Sequence, residues 1–470
     1  MYLKIPFVAG VPQPFRLEYS RWTSGTAALS LRWSGNVTAA QEVPTSAFTP
    51  TVSPAEVERV RLRDRLINPA VAWQTYNNPT MGSHVLMPAG LIVDATLADL
   101  STGDVLGDII VFRRSNPALS LAGLHSLNGS DYTQLSLSRW GKRICDVSFE
   151  TTVDAAGVNL RFLATSNGSD CEHLALLVKP AMMDERPGSF SGGAGTAQAL
   201  VATVPGFGSV TVTAVGATSV VFPNATGDVY FALPLGGVVG YVTGAAPPPS
   251  VADIQASIAA ARAIVVASKS RYGDLADIYE AMESILTWNT MFTPIEGVVT
   301  PVSRGWDFGE GYVIFDWDNL FLSYMASLEP GTLKDISYAN LIQIIQARTL
   351  LGFVPNYASG MSVSFDRTEP QIGALVVQKI HAKWGDDWLV NFTFPALLSW
   401  NEWVWQHRRG EGVLAGPDGH ADLIVLGSDS TNPEGPIGGY NTMQCARYES
   451  GLDNSPMYVS IQLLQTLYIL

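Results

Sequence analysis

The sequence predicts a multidomain chain in which an all-β half is followed by an all-α half. Three observations predict it. From about residue 55 to 245, short alternating runs such as Ser209-Val-Thr-Val-Thr-Ala214 and Gly227-Asp-Val-Tyr-Phe-Ala-Leu233 are broken by Gly, Asn or Asp about every ten residues, the rhythm of an antiparallel sandwich. At Pro247-Pro-Pro-Ser250 the alternation stops and the apolar period lengthens toward that of a helix. The 470 residues, 47% of them hydrophobic, suffice for two or three domains with full cores.

Taken in order, residues 1–54 carry two candidate strands, Pro14–Tyr19 and Ala27–Gly35, which read as a hairpin. Residues 55–249 form the sandwich. Within it, Gly188-Ser-Phe-Ser-Gly-Gly-Ala-Gly195 is a surface turn, because no Lys-Ser/Thr follows to make a phosphate loop. Residues 250–470 are helical. Ser250 is suited to cap the first helix, and helices are expected near 251–268, 273–290, 317–328, 332–350, 370–384 and 386–408. The loops joining them are mostly short, which favours antiparallel hairpins.

Composition narrows the function. A net charge of −14 repels phosphate backbones and argues against a nucleic-acid partner. No run of 18 apolar residues exists; the best stretch, Ala256–Ala267, is broken by Arg262, so no membrane span is expected. Lys4 is followed by only a short apolar stretch before Pro12 and Pro14, which is not a signal-peptide pattern. Asn-x-Ser/Thr sites at Asn36, Asn128, Asn167, Asn224 and Asn391 lean weakly toward a secretory or extracellular location. Cys145 and Cys171 can pair and leave Cys445 alone, or all three can be buried thiols; both readings stand. His381 and His407 have no partner at ligand spacing, so neither a metal nor another cofactor is expected.

Eight of the 12 Trp follow residue 250. An indole offers a flat apolar face and an N–H edge, which suits stacking on a sugar as well as core packing. Two carboxylate clusters stand near aromatics. In Phe315-Asp-Trp-Asp-Asn-Leu-Phe321, Asp316 and Asp318 sit at a helix start, where the helix dipole alone favours carboxylates. In Tyr448-Glu-Ser-Gly-Leu-Asp-Asn-Ser-Pro456, Glu449 and Asp453 are four apart around a glycine. A carboxylic acid beside aromatics is pushed toward holding its proton near neutral pH. Between the clusters, the polar loop Asn356–Gln371 carries Arg367 and Glu369, suited to sugar hydroxyls or to capping the next helix.

These segments, together with Gly352-Phe-Val-Pro-Asn356 and Asp366-Arg-Thr-Glu-Pro370, resemble glycoside hydrolase family sixty-three. That family includes processing α-glucosidase I and mannosylglycerate hydrolase. The Glu449-to-Asp453 motif is the most specific element, and it is similar to the corresponding motif of trehalases. The stretch from Asn68-Pro-Ala-Val-Ala-Trp-Gln-Thr75 through His84-Val-Leu-Met-Pro88 resembles the sandwich attached to such enzymes, and residues 14–19 and 27–35 resemble the last two strands of a protective-antigen-type carbohydrate-binding module, of which 1–54 would be a remnant.

The resemblance implies a β-sandwich followed by an (α/α)6 barrel and an inverting α-glycosidase acting on terminal α-linked glucose or mannose of oligosaccharides or small glycosides. It makes Asp453 the general acid. Trp317 and Asp318 line the sugar subsite, and Arg367, Glu369 and Glu449 add polar contacts. The partner is then a carbohydrate substrate; oligomeric state is not legible. The family's general base lies well past this motif, and Tyr458–Leu470 holds no carboxylate side chain. The expectation is therefore a partial barrel, inactive as this fragment, with an apolar patch exposed where helices are missing. The alternative is a non-catalytic carbohydrate-binding protein.

Overall fold

The computed structural model describes residues 32–35, 38–42, 53–67, 72–73, 84–86, 89–105, 119–125, 132–139, 144–154, 159–182, 187–192, 198–223, 229–244, 247–293, 297–306, 311–329, 333–359, 363–408 and 447–453. The chain divides into two compact units, Met1–Thr51 with Asp184–Arg186, and Val52–Met183 with Pro187–Leu470. In the first, Arg32–Gly35 pairs antiparallel with Thr38–Glu42. The candidate strand Pro14–Tyr19 lies outside the described residues.

The second unit holds a β-domain and a helical domain. One antiparallel sheet has five strands in the order Phe231–Pro234, Leu174–Met182, Leu91–Asp99, His84–Leu86 and Ala72–Trp73. The other has eight: Ser189–Ser191, Ala199–Val204, Gly208–Val215, Val238–Thr243, Leu160–Asn167, Asp146–Val153, Tyr132–Arg139 and Leu119–His125. Alternation decides what each strand buries. Leu174, Leu176 and Val178 enter the core between the sheets with Phe149, Phe162 and Tyr241, while Ala175 and Leu177 face a smaller cluster with Phe222 and Tyr230. Phe162 stacks on Tyr241 at 4.8 Å between ring centres, from neighbouring strands. Of the two cysteine readings, the structure adopts the pair: Cys145 and Cys171 are disulfide-bonded. Cys445 lies outside the described residues.

Helix α1 (Pro54–Ile67) precedes the sandwich in sequence but belongs to the helical core. Its Leu62 and Leu66 are buried there, and Arg65 forms a two-pronged pair with Asp335. The strands therefore begin after this helix rather than at 55. Helix α2 (Val251–Lys269) starts at Ser250, whose Oγ accepts the Asp253 N–H while Asp253 Oδ2 accepts the Ser250 N–H, a reciprocal cap. Ile254, Ile258 and Val265 of α2 lie on the outer face of the eight-stranded sheet, against Tyr132, Leu163 and Val242. Helix α3 (Ala276–Asn289) follows a break at Gly273, where φ is 53°. By length and composition Val251–Glu283 is long and apolar enough to cross a membrane, contrary to the expectation from the sequence, although this break interrupts it. Ile264, Val266, Leu275 and Ile278 of this segment are exposed.

Helices α4 (Asp316–Leu328), α5 (Lys334–Gln346), α6 (Gly373–Trp384) and α7 (Asp387–His407) complete the domain. Their shared core includes Leu320, Ile342, Phe353, Val376, Trp400 and Trp403. Trp400 and Trp403 are thus packing residues, the other use that an indole has. The half read as all-α also contains short strands. Met291–Thr293 pairs with Gly297–Val299, and Gly311–Phe315 lies between Ser303–Trp306 and Tyr357–Ala358. The last pairing positions the site, because Phe315, opposite Tyr357, is the residue before α4.

Candidate active site

The site grows from that register. With Phe315 opposite Tyr357, the Asp316 N–H reaches the Asn356 carbonyl at 3.1 Å, so the first turn of α4 lies beside the loop that carries Arg367 and Glu369. Asn319 anchors the turn from within. Its Oδ1 accepts the Phe315 N–H and its Nδ2 donates to the Thr300 carbonyl. Asn340 of α5 accepts the Thr300 N–H and donates to the Asn319 carbonyl. Both amides are buried, and satisfying their polar groups within the protein fixes the helix start.

Three consecutive α4 residues then face different ways. Asp316 is 1% exposed. Its Oδ2 accepts the Glu369 N–H at 2.9 Å and the Thr368 hydroxyl at 3.0 Å. Trp317 and Asp318 are half-buried, with the Trp317 indole edge-on to Phe321 at 5.8 Å. Burial, and after it the charge of Asp453, pushes the Asp318 carboxyl above the usual range.

The motif that ends at Asp453 meets this helix start. Gly451 adopts φ 71° against the indole; a Cβ there would lie 2.4 Å from Trp317 Cζ2, so both conformation and space require glycine. Asp453 follows in the left-handed region at φ 46°, its N–H donating to the Arg447 carbonyl. Asp453 is exposed, yet partial burial still raises its carboxyl. The indole at 317 and the carboxyls at 318 and 453, the three groups expected at the centre of the site, come together.

The other three expected sugar contacts lie inside the protein. Arg367, Glu369 and Glu449 are buried, at 4%, 4% and 1% exposure. Arg367 Nε donates to Asn356 Oδ1, its Nη1 donates to Asp366, and its guanidinium lies 5.1 Å from the Tyr448 ring centre. Glu449 accepts from Arg408 Nε at 2.8 Å and from the Thr368 N–H at 3.3 Å. Arg408 itself lies over the Trp403 ring. Each of the three is turned inward because it joins one segment of the site to another. Glu449 and Arg408 tie the Asp453 motif to the end of α7, while Glu369 holds the Trp317 N–H and Asn356 Nδ2.

Sequence reasoning missed Arg408, Asn319, Asn340 and Asn356 as site-builders, and only a charged residue at the end of α7 signalled the first. Among the described residues no cluster of His, Cys, Asp and Glu could hold a metal ion. What the arrangement offers is a flat apolar face with two carboxyls beside it, both inclined to keep a proton.

No family model matches the chain, and no curated protein matches it. Among solved structures it is similar to a bacterial glucoamylase complexed with acarbose, with 11% identity and a TM-score of 0.38, covering 76% of this chain and 71% of that one. A likeness this loose carries no functional weight.

Proposed function

We propose that the site is that of an inverting α-glycosidase acting on terminal α-linked glucose or mannose, in a helical domain that is part of an (α/α)6 barrel. The single observation that carries the reading is the meeting of Asp318 and Asp453 at Trp317, two carboxyls with raised proton affinity beside an aromatic face. The indole takes the apolar face of the sugar ring and Asp318 takes its hydroxyls. Asp453 gives its proton to the bridging oxygen as the bond from that oxygen to the anomeric carbon breaks. Water adds to the carbon from the opposite side, and its proton passes to a second carboxylate. Among the described residues we assign that last role to none, so turnover, as opposed to the inactivity expected from the sequence, depends on a carboxylate outside them.

The test is turnover and binding with α-linked disaccharides of glucose and of mannose. Proton NMR should show the β-anomer released first, as inversion requires. Asp453→Asn should lower turnover about 10²–10⁴-fold with the melting temperature unchanged. In the wild type, turnover should fall as pH rises through the raised Asp453 value, because the acid must be protonated to act. A variant near the wild-type rate removes Asp453 from the role. Heat of binding without turnover supports the carbohydrate-binding alternative, and neither heat nor turnover overturns both readings.

A further inference from the structure

We infer that Asp316 is a positioning residue whose buried Oδ1 carries a proton and donates it in a hydrogen bond to the Glu369 carboxylate, holding Trp317 and Asp318 in place. The argument begins with hydrogen-bond demand. Asp316 Oδ2 already accepts from the Glu369 N–H and the Thr368 hydroxyl. Oδ1, equally buried, receives no donor. Glu369 is the opposite case. Its Oε2 accepts the Trp317 N–H at 3.2 Å and its Oε1 accepts from Asn356 Nδ2 at 2.5 Å.

The two side chains are neighbours, cross-linked by the Glu369 N–H on Asp316 Oδ2, and each shifts the other's titration. A bond between two carboxyl groups needs a proton on one of them, and the oxygen without a donor is the one able to carry it. Asp316 Oδ1 is that oxygen. Burial, then the Glu369 charge, raises Asp316 well above the carboxylate range. Burial, then Asp318, raises Glu369 as well, so the two carboxyls compete for one proton.

The charged groups around the pair support one shared proton. Asp318 on α4 and Asp453 on the facing motif are both acidic. Arg367 donates to Asp366 and Asn356, and Arg408 donates to Glu449. The pair therefore closes a ring: Glu369 holds the Trp317 backbone, Asp316 holds the Glu369 backbone, and the proton holds the two side chains together. Losing the proton sets two buried negative charges side by side and parts the first turn of α4 from the loop. That this matters for sugar binding rests on the function proposed above; the proton itself does not.

The experiment compares the wild-type chain with Asp316→Asn, whose amide donates the same bond without a titratable proton. Infrared spectra at neutral pH should show a protonated-acid C=O stretch in the wild type that Asp316→Asn lacks. The wild-type melting temperature should fall as pH rises from the ordinary carboxylate range toward the raised value, as a raised carboxyl requires, and Asp316→Asn should show at most half of that fall. An unchanged stretch, or pH profiles that overlay, overturns the inference. Asp316→Asn keeps every hydrogen bond of the pair, so its failure to fold at neutral pH also overturns the inference, whereas Glu369→Gln sets an NH2 against the Trp317 N–H or the Asn356 amide and should lower the melting temperature at every pH. Absence of any sugar heat in calorimetry counts against the glycosidase reading alone and leaves the infrared result standing.

Discussion

Two regions of the helical domain bury carboxylates, and they treat them differently. Around α3 and the end of α4, each has a cation. Glu283 lies 3.1 Å from Lys269, and Glu329, fully buried, lies 3.2 Å from Arg271 and accepts the Tyr272 hydroxyl at 2.5 Å. At the start of α4, Asp316 and Glu369 meet each other, and Asp318 meets Asp453. In the first region the attraction between opposite charges offsets the cost of removing them from water. Burial raises Glu283 too, against the pull of Lys269; in the second region carboxyl faces carboxyl and the neighbouring charge adds to the rise, which is useful where a proton is to be held or handed over. Glu449 stands at the border, belonging by position to the second region and by its Arg408 pair to the first.

The largest expected effect tests that border. Glu449→Ala leaves the buried Arg408 guanidinium without its main carboxylate and should cost about 3–5 kcal/mol in denaturant unfolding. A loss under 1 kcal/mol would place the pair among the surface-like ones of small consequence. Next is Gly451→Ala, where φ 71° and the indole both resist a methyl group. About 1–3 kcal/mol is expected by the same measurement, together with a loss of sugar heat if Trp317 moves. Tyr272→Phe sharpens the first region. It removes a hydrogen bond to a buried carboxylate and should cost about 1–2 kcal/mol, with Arg271 still in place. Last is Asp453→Asn, which should leave stability within about 0.5 kcal/mol. It should also let Asp318 ionise at a lower pH, because the neighbouring negative charge that raises it is gone. Carboxyl NMR titration of Asp318 checks this, and an unmoved midpoint would separate the two groups.

The sequence revealed what is local. Periodicity placed α2 through α7 close to their observed bounds, Ser250 announced its cap, and four separated motifs converge on one site. What it hid is what depends on distant pairing. The α1 segment, Pro-Ala-Glu-Val-Glu-Arg-Val-Arg-Leu-Arg-Asp-Arg-Leu-Ile, reads as a charged surface helix, and nothing in it shows that Leu62 and Leu66 lie against helices from the other end of the chain. Arg367, Glu369 and Glu449 sit in polar loops, where charged side chains are ordinarily wet. Their burial follows from Asn356, Asp366 and Arg408, partners that no spacing rule connects to them. Short strands around 291–315 were hidden for a similar reason, since three- to five-residue runs acquire their identity from the strand across from them.

The placement of α1 has a consequence for how the protein is made. Its partners α5 and α7 are translated only after the whole sandwich has emerged. At about 5–20 residues per second, this first helix waits on the order of tens of seconds for the surface that will cover Leu62 and Leu66. The ribosome thus delivers a finished β-domain tethered to an orphaned helix, and the helical domain closes last, as a clasp joining the early and late parts of the nascent chain.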